Sequence, residues 1–368
     1  MSYHTGKMGV AAGISLVFLI TFPYIFLTTP AQTVAIGAGL AWLIPLISGG
    51  PPIVMILGML YAMKMFPGDL YTVCRKLIGR VGAWAVAVYY ITMFFFDGVL
   101  LLRQFAENTL LTALPSIEFS LVIAIYIAVA GLLCYAGIEA IVRANYIIMP
   151  FGIFGLTLVL LLLAPFYNIY NILPWQGTGL ENVIPAGFLF AGAQVGIFAL
   201  VILAPSFQDK RTVRTAAIFG VGMSAVLKSM TVLVFSLVFN TVVAKEKVLP
   251  FFEMARLVYL SRYLQRIEAL FIILWVILGV MAIAINFYMG LYLITRLLKL
   301  PTMRPLIPIT GIILAETAMI PPDITTVIVL DELIITTYFN VGVYVIPTML
   351  IIAALLKKKK RGATQCAG

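Results

Sequence analysis

Apolar runs follow one another along almost the whole of this 368-residue chain. A helix of about 20 such residues crosses the roughly 30 Å of hydrocarbon in a bilayer. Hydrophobic residues make up 63% of the sequence and charged residues 10%, whereas a soluble domain is about half apolar and about a quarter charged. No remaining stretch is long enough to bury a soluble core. The sequence therefore predicts an all-α polytopic membrane protein with a single transmembrane domain, residues 1–368.

The apolar runs predict ten membrane spans. Their bounds are 8–28, 34–62, 81–112, 117–136, 143–164, 183–205, 212–240, 266–298, 304–321 and 332–356. If the N-terminus is cytoplasmic, the inner segments hold 17 Lys and Arg residues and the outer loops hold five. Because Lys and Arg concentrate in cytoplasmic loops, both termini are predicted to be cytoplasmic. The basic tail from Lys357 to Arg361 suits anionic lipid headgroups of the bilayer.

The charge distribution also argues against nucleic acid as a partner, although the net charge is +10. The basic residues lie at the ends of apolar runs, which is the pattern that sets membrane topology. The three cysteines are isolated, and the single histidine, His4, precedes the first span, so no disulfide framework and no metal site are predicted. The sequence shows neither a nucleophile–base pair nor a phosphate-binding glycine loop. We therefore predict no enzyme, no catalytic residues and no cofactor.

Two spans carry residues that interrupt a helix. Pro23 in the first span removes one helical hydrogen bond, and the sixth span contains the small-residue stretch Gly192 to Gly196. Five spans in each half would make the halves, about 8–164 and 183–356, run in opposite directions. Inverted repeats with interrupted helices at matching positions form a midplane ligand site in many secondary transporters. The alternative is that these residues mean only a kink or close helix packing.

Two charged residues lie near the middle of spans. Asp97 and Lys228 are each 16 residues into a span that begins on the inner side, which places both about 24 Å along their helices. A charge at the bilayer centre costs roughly 2.5–3.5 kcal/mol on insertion scales. We expect Lys228 to be neutralised by Asp97 or by Glu316 of the ninth span. The alternative is that each charge finds backbone carbonyls or water separately.

Other polar and aromatic residues of the third span admit two interpretations each. Arg103 and Glu107 are four residues apart and suit a local ion pair. The pair is either a gate above a ligand site or a pair that snorkels to the interface. Phe94 opens a run of three phenylalanines before Asp97. Those rings either line a ligand or face lipid and neighbouring helices.

Two connections are too apolar to be simple turns. The inner connection from Phe66 to Gly79 is expected to form a short surface helix. The outer connection from Pro250 to Gln265 mixes aromatic and charged residues. We expect a helix there that lies at the outer surface or dips into the protein. A loop that adheres to headgroups is the alternative.

Four fragments in order carry a resemblance to a known family. They are FPGDLYTVCRKLIGRVGAW from Phe66, GIEAIVRANYIIMP from Gly137, NILPWQGTG from Asn171 and PFFEMARLVYLSRYLQRIEALFIILWV from Pro250. With this order and spacing the chain resembles, nearly end to end, the spore-germination permease family, the B subunits of nutrient germinant receptors. The resemblance implies the LeuT-type fold of amino-acid/polyamine/organocation transporters, with ten helices in a 5+5 inverted repeat and interrupted helices 1 and 6. It also implies residence in the inner membrane of the spore and A and C subunits as partners.

The resemblance further implies that the protein binds a small nutrient, commonly an amino acid, and that binding starts germination and ion release. The pocket would lie between spans one, three, six and eight. By position within the fold its residues are Thr21, Phe22, Pro23, Phe94, Asp97, Gly192, Gln194 and Gly196. The candidates for a proton-sensitive group are Asp97, Lys228 and Glu316. A ligand-sensing receptor subunit is favoured over an ion-coupled amino-acid transporter and over an ion-conducting subunit, because no convincing sodium site is recognisable.

Overall fold

The chain is almost entirely helical. The computed structural model describes residues 7–66, 68–258 and 267–366, and in the last range the side chains of 272–358. The α-helices are α1 (Val10–Thr21), α2 (Thr29–Gly37), α3 (Leu43–Met65), α4 (Leu70–Thr112), α5 (Phe119–Ala136), α6 (Ile138–Leu162), α7 (Leu180–Leu189), α8 (Ala199–Ile202), α9 (Lys210–Val238), α10 (Thr241–Ala244), α11 (Pro250–Leu257), α12 (Ile267–Leu298), α13 (Leu306–Met319), α14 (Ile324–Leu333) and α15 (Ile346–Cys366).

Most of these helices are long and apolar enough to cross a membrane. Eight helical segments in the described part of the chain meet that condition. A ninth span results if α1 and α2, which meet at a bend of 69°, are counted as one broken helix. The apolar helix α13 has 14 residues, which corresponds to about 21 Å and is short for a full crossing. The prediction of a polytopic all-α membrane protein is confirmed, and a tenth span would require α13 to cross as well.

The predicted bounds of the second span differ from the structure, whereas a helix break precedes the predicted start of the third. The second was predicted as one helix, but α2 ends at Gly37, a 3₁₀ turn follows, and α3 begins at Leu43. A short helix precedes the third span, and it begins where Asp69 accepts a hydrogen bond from the Thr72 amide (3.2 Å) and caps α4. Gly79, with φ 81° and ψ −177°, breaks α4, a conformation that glycine adopts without steric cost. The predicted surface helix before Gly79 is therefore the first part of α4.

The outer connection after α10 contains a helix that packs into the protein. In α11 the side chains of Phe251, Met254 and Ala255 are fully buried. The Phe251 ring packs edge-on against Phe26, with centroids 5.4 Å apart. A loop that merely adheres to headgroups is therefore wrong for residues 250–257, and the remainder of that predicted segment, 259–265, lies outside the described residues.

The helices α4 and α12 form the longest packed pair of the core. Their close approach depends on small residues, as in other membrane helix pairs. A Cβ atom at Gly279 would lie 2.3 Å from the Phe105 ring, and one at Gly290 would lie 2.3 Å from the Phe95 ring. The α12 glycines thus form notches that receive phenylalanines of α4. These contacts fix the position of the α4 residues that follow Phe95, including Asp97, relative to α12.

Helix α1 packs against α9 and the beginning of α9 is capped. The Asp209 carboxylate accepts a hydrogen bond from the Thr212 amide at 2.6 Å, and this bond holds the pKa of that carboxyl below its usual value. The same arrangement of Asp323 with the Thr326 amide begins α14 and lowers the pKa of Asp323. These caps lie outside the spans and define where α9 and α14 start.

Candidate functional site

The first span is interrupted where the sequence predicts. Helix α1 ends at Thr21, and Pro23 begins a 3₁₀ helix that continues to Phe26. The Thr21 hydroxyl donates to the Val17 carbonyl (2.8 Å) and to the Ser224 hydroxyl (2.9 Å). The first bond follows the pattern by which threonine hydroxyls bend helices, and the second joins the break to α9.

The sixth span is also interrupted as predicted. A nine-residue 3₁₀ helix, Phe190–Phe198, separates α7 from α8, although 3₁₀ runs of more than about four residues are uncommon. A Cβ atom at Gly196 would lie 1.9 Å from Cγ2 of Ile20 in α1. A Cβ atom at Gly192 would lie 2.0 Å from the carbonyl oxygen of Ile335. The interrupted segment therefore packs against α1 on one side and against the last span on the other, and only glycine fits these contacts.

The last span is irregular where the Ile335 carbonyl contacts Gly192. Two π-helical segments, Ile334–Phe339 and Val341–Val345, lie between α14 and α15. Such segments are rare and occur frequently at functional sites. The Tyr89 hydroxyl donates to the Tyr338 carbonyl (2.6 Å), and the Tyr90 hydroxyl donates to the Gly342 carbonyl (3.2 Å). These α4 tyrosines thereby supply hydrogen bonds to backbone oxygens of the π segments.

Asp97 and Lys228 meet at the interruption of the first span. Each is 3% exposed. The Tyr24 hydroxyl donates a hydrogen bond to Oδ1 of Asp97, and Nζ of Lys228 lies 5.6 Å from the centroid of the Tyr24 ring, within the range of a cation–π contact. Lys228 and Asp97 interact electrostatically. The first residue after Pro23 therefore lies between the two buried charges.

Lys228 forms no direct ion pair with either of the carboxylates expected to neutralise it. Three ion pairs are present among the described residues, and none includes Lys228. Its Nζ has no hydrogen-bond partner there. Asp97 and Lys228 are instead connected through Tyr24, whose hydroxyl donates to Asp97 and whose ring lies near Nζ of Lys228.

The predicted pairing of Lys228 with Glu316 is wrong, because Glu316 is exposed on α13. The buried face of α13 consists of Ile307, Gly311, Leu314 and Ala318. Glu316 is two residues from both Leu314 and Ala318, which turns it to the opposite side of a helix with 3.6 residues per turn. The position of Glu316 along its span suggested it as a partner of Lys228. That position does not determine which side of α13 the Glu316 carboxylate faces.

The local pair in α4 is confirmed. Nε of Arg103 and Oε2 of Glu107 are 2.9 Å apart. The Arg103 guanidinium carbon lies 4.2 Å from the centroid of the Phe119 ring, and Arg103 is 6% exposed. The pair is therefore packed under an aromatic ring at the start of α5, whereas snorkelling would leave the guanidinium in the interface. A role as a gate stays a prediction.

All the residues predicted to bind a ligand are buried, and together they surround the two interruptions. The set is Thr21, Phe22, Pro23, Phe94, Asp97, Gly192, Gln194 and Gly196. Phe22 stacks on Phe18 with centroids 4.1 Å apart. Oε1 of Gln194 has no hydrogen-bond partner among the described residues. Within the described chain, no group of three or more His, Cys, Asp or Glu side chains could hold a metal ion.

The sequence interpretation missed three members of the polar centre. Tyr24 and Gln104 are 2% and 1% exposed, and Asp331 of α14 is 3% exposed. Asp331 interacts with Asp97 and Gln104. The predicted tenth span begins at 332, which put Asp331 outside it, although the apolar residues from Ile324 onward mark an earlier start. Asn286 of α12 also lies beside Asp97.

The fold is similar to that of solved membrane transporters. The nucleobase-cation-symport-1 family transporter Mhp1, in a closed conformation with bromovinylhydantoin bound, is similar with a TM-score of 0.62 and 14% identity, over 90% of this chain and 76% of that one. A mutant of the Eremococcus coleocola manganese transporter is similar with a TM-score of 0.54 and 14% identity, over 93% of this chain and 76% of that one. At these identities the likeness concerns the fold alone.

The family follows from sequence similarity. The sequence model of the family described as "Spore germination protein" matches residues 7–327. The chain belongs to this family. Spore germination protein KB of Bacillus subtilis (strain 168) is 21% identical over 218 residues, which are 58% of this chain. The match also spans 58% of that relative, which is less than two thirds of its length.

Proposed function

We propose that the protein is the integral-membrane subunit of a spore nutrient germinant receptor. In this role it binds a small nutrient, an amino acid, at a pocket near the bilayer midplane and thereby triggers germination. Membership of the spore germination protein family supports the role. The single structural observation that carries the location of the pocket is the hydrogen bond from Tyr24, in the interrupted first span, to Asp97, which is 3% exposed. A buried ionisable residue in a membrane span is by default a functional site.

The architecture that we propose is the ten-helix 5+5 inverted repeat, with halves of about 8–164 and 183–356. It counts α13 as a full span beside the nine that length and apolarity already support. The breaks at Pro23 and at Phe190–Phe198 then occupy the first span of each half. The basic residues place both termini on the cytoplasmic side, which in a spore is the core side.

For the pocket we propose the set Thr21, Phe22, Pro23, Phe94, Asp97, Gly192, Gln194 and Gly196. The Asp97 carboxylate suits the ammonium group of an amino acid. Backbone N–H groups at an interrupted helix suit its carboxylate, and Gln194 offers an amide whose oxygen has no partner in the described chain. Because these groups are buried, ligand entry requires a conformational change, and binding shifts the population of conformers.

For the remaining polar residues we propose conformational roles. Lys228 reaches the centre through the Tyr24 ring and not through a ligand contact, so its replacement should alter signalling more than binding. The Arg103–Glu107 pair lies beyond Asp97, toward the end of α4, and acts as a gate. The partners that we propose are the A and C subunits of the receptor in the inner membrane of the spore, with α11 and the first part of α4 as available contact surfaces.

A coupled amino-acid transporter is the second candidate function, because the solved structures with this fold include transporters. The two functions differ in whether cargo accumulates. We expect the purified protein in liposomes to bind its nutrient without accumulating it when a proton or sodium gradient is imposed. Uptake is measured with the labelled nutrient, and liposomes that hold the Asp97→Asn variant are the matched control. Gradient-driven accumulation that this variant lacks would make the protein a transporter, and nutrient-dependent ion flux would make it the conducting subunit.

A further inference from the structure

Asp331 is a buried carboxylate that the proposed nutrient pocket does not use. It is 3% exposed on α14, three residues before the first π segment begins at Ile334. Within the described part of the chain, its Oδ1 atom has no hydrogen-bond partner. An ionised carboxylate in this position is costly unless it is paired or binds a cation.

The groups that face Asp331 provide no positive charge. From α4 it faces Asp97 and the amide of Gln104, from the 3₁₀ helix it faces Tyr24, and on its own helix it neighbours Glu332. Asp97 and Glu332 are both acidic. No Lys or Arg of the described residues is within ion-pair distance of Asp331. Lys228 acts on Asp97, on the other side of the centre.

The charges of the buried centre therefore do not balance. Asp97 and Asp331 carry two negative charges when ionised, and Lys228 carries one positive charge. One further positive charge neutralises the centre. An oxygen atom for it is available, because Oδ1 of Asp331 lacks a hydrogen-bond partner among the described residues. Carboxylate and amide oxygens are the ligands that hard cations prefer.

We propose that Asp331 is the binding site for one monovalent positive charge, which is either a proton or an alkali cation. Asp331 is not among the residues proposed to bind the nutrient, although it interacts with Asp97 of that set. Because of where Asp331 lies, a positive charge bound there affects the packing of the neighbouring helices. The π segment begins immediately beyond Asp331, and the carbonyl of Ile335 in that segment contacts the interrupted sixth span at Gly192. A charge bound at Asp331 thus stabilises the packing of the last span against the sixth.

The test uses the full-length purified protein in lipid nanodiscs, without any nutrient. The thermal midpoint is first measured in mildly alkaline buffer with N-methyl-D-glucamine chloride as the only salt. One arm replaces that salt by NaCl or KCl at constant ionic strength, and the other lowers the pH to mildly acidic. Because a charge that binds only the folded state stabilises it, the midpoint should rise by several degrees in at least one arm. A rise with salt identifies an alkali cation, and a rise with acid alone identifies a proton.

The variants Asp331→Asn and Glu332→Gln form a matched pair of neighbours. Asp331→Asn should lose the response, because its amide needs no added positive charge, whereas Glu332→Gln should keep it. Where Asp331→Asn does not fold, Asp331→Glu should keep a response that is shifted in cation concentration or pH. The proposal is overturned if the wild type responds in neither arm, if Asp331→Asn responds as the wild type does, or if Asp331→Glu responds without a shift. None of these results depends on whether a nutrient binds.

Discussion

Replacing Lys228 by methionine is expected to destabilise the protein by about 3–5 kcal/mol, which is the usual effect of leaving a buried charge uncompensated. The methionine fills the space of the lysine stem but leaves the Asp97 carboxylate buried without its positive neighbour. The free energy of unfolding is measured by denaturant titration in mixed micelles.

A double variant separates charge from packing. Asp97→Asn together with Lys228→Met removes both charges, and it should recover most of the lost stability, because a buried pair can be replaced by neutral groups at little cost. Lys245→Met is the control, since Lys245 is exposed and exposed charges contribute little. If the double variant is as unstable as the sum of the two single variants, Asp97 and Lys228 do not interact.

Replacing Gly192 by alanine is expected to destabilise the protein by about 1–3 kcal/mol, as overpacking does in a filled core. The added methyl group would lie 2.0 Å from the carbonyl oxygen of Ile335 and 3.2 Å from Oδ1 of Asn340. The carbonyl belongs to the backbone of the π segment, so relief requires the last span to move away from the sixth. Thermal unfolding of the purified variant measures the loss.

The matched control is Gly222→Ala in α9. A Cβ atom at Gly222 meets nothing within 4 Å, and alanine is preferred over glycine inside a helix by roughly 0.5–1 kcal/mol. The control should therefore be neutral or slightly stabilising. Equal destabilisation by the two substitutions would mean that the contact between the sixth and last spans does not limit the fold.

Local chemistry explains which parts of the fold were predictable from the sequence. The interruptions were found because proline and clustered glycines act on the backbone where they occur. The depth of Asp97 and Lys228 was found because a helix rises by about 1.5 Å per residue. The sequence does not indicate which face of α13 is buried. Apolar residues occur on all sides of that helix, so their periodicity defines no single apolar face.

Long-range packing explains what the sequence did not show. Tyr24 joins Asp97 and Lys228 only because the break after Thr21 turns the chain toward α4 and α9. Asp331 was placed outside the membrane because the tenth span was started at residue 332, although the helix begins at Ile324. The carboxylates expected to neutralise Lys228 were chosen from depth alone, and depth does not fix how two helices are rotated.

The most direct test of a nutrient pocket at the polar centre is a thermal-shift screen of the purified protein against amino acids, nucleosides and sugars. One ligand class should raise the melting temperature, since a ligand at 100 times its Kd stabilises the folded state by about 2.7 kcal/mol. We expect an amino acid to do so, Asp97→Asn and Gln194→Ala to lose the shift, and Lys228→Met and the exposed-site control Glu316→Gln to keep it. A ligand shift that Asp97→Asn and Gln194→Ala both retain would contradict the account and place the pocket elsewhere.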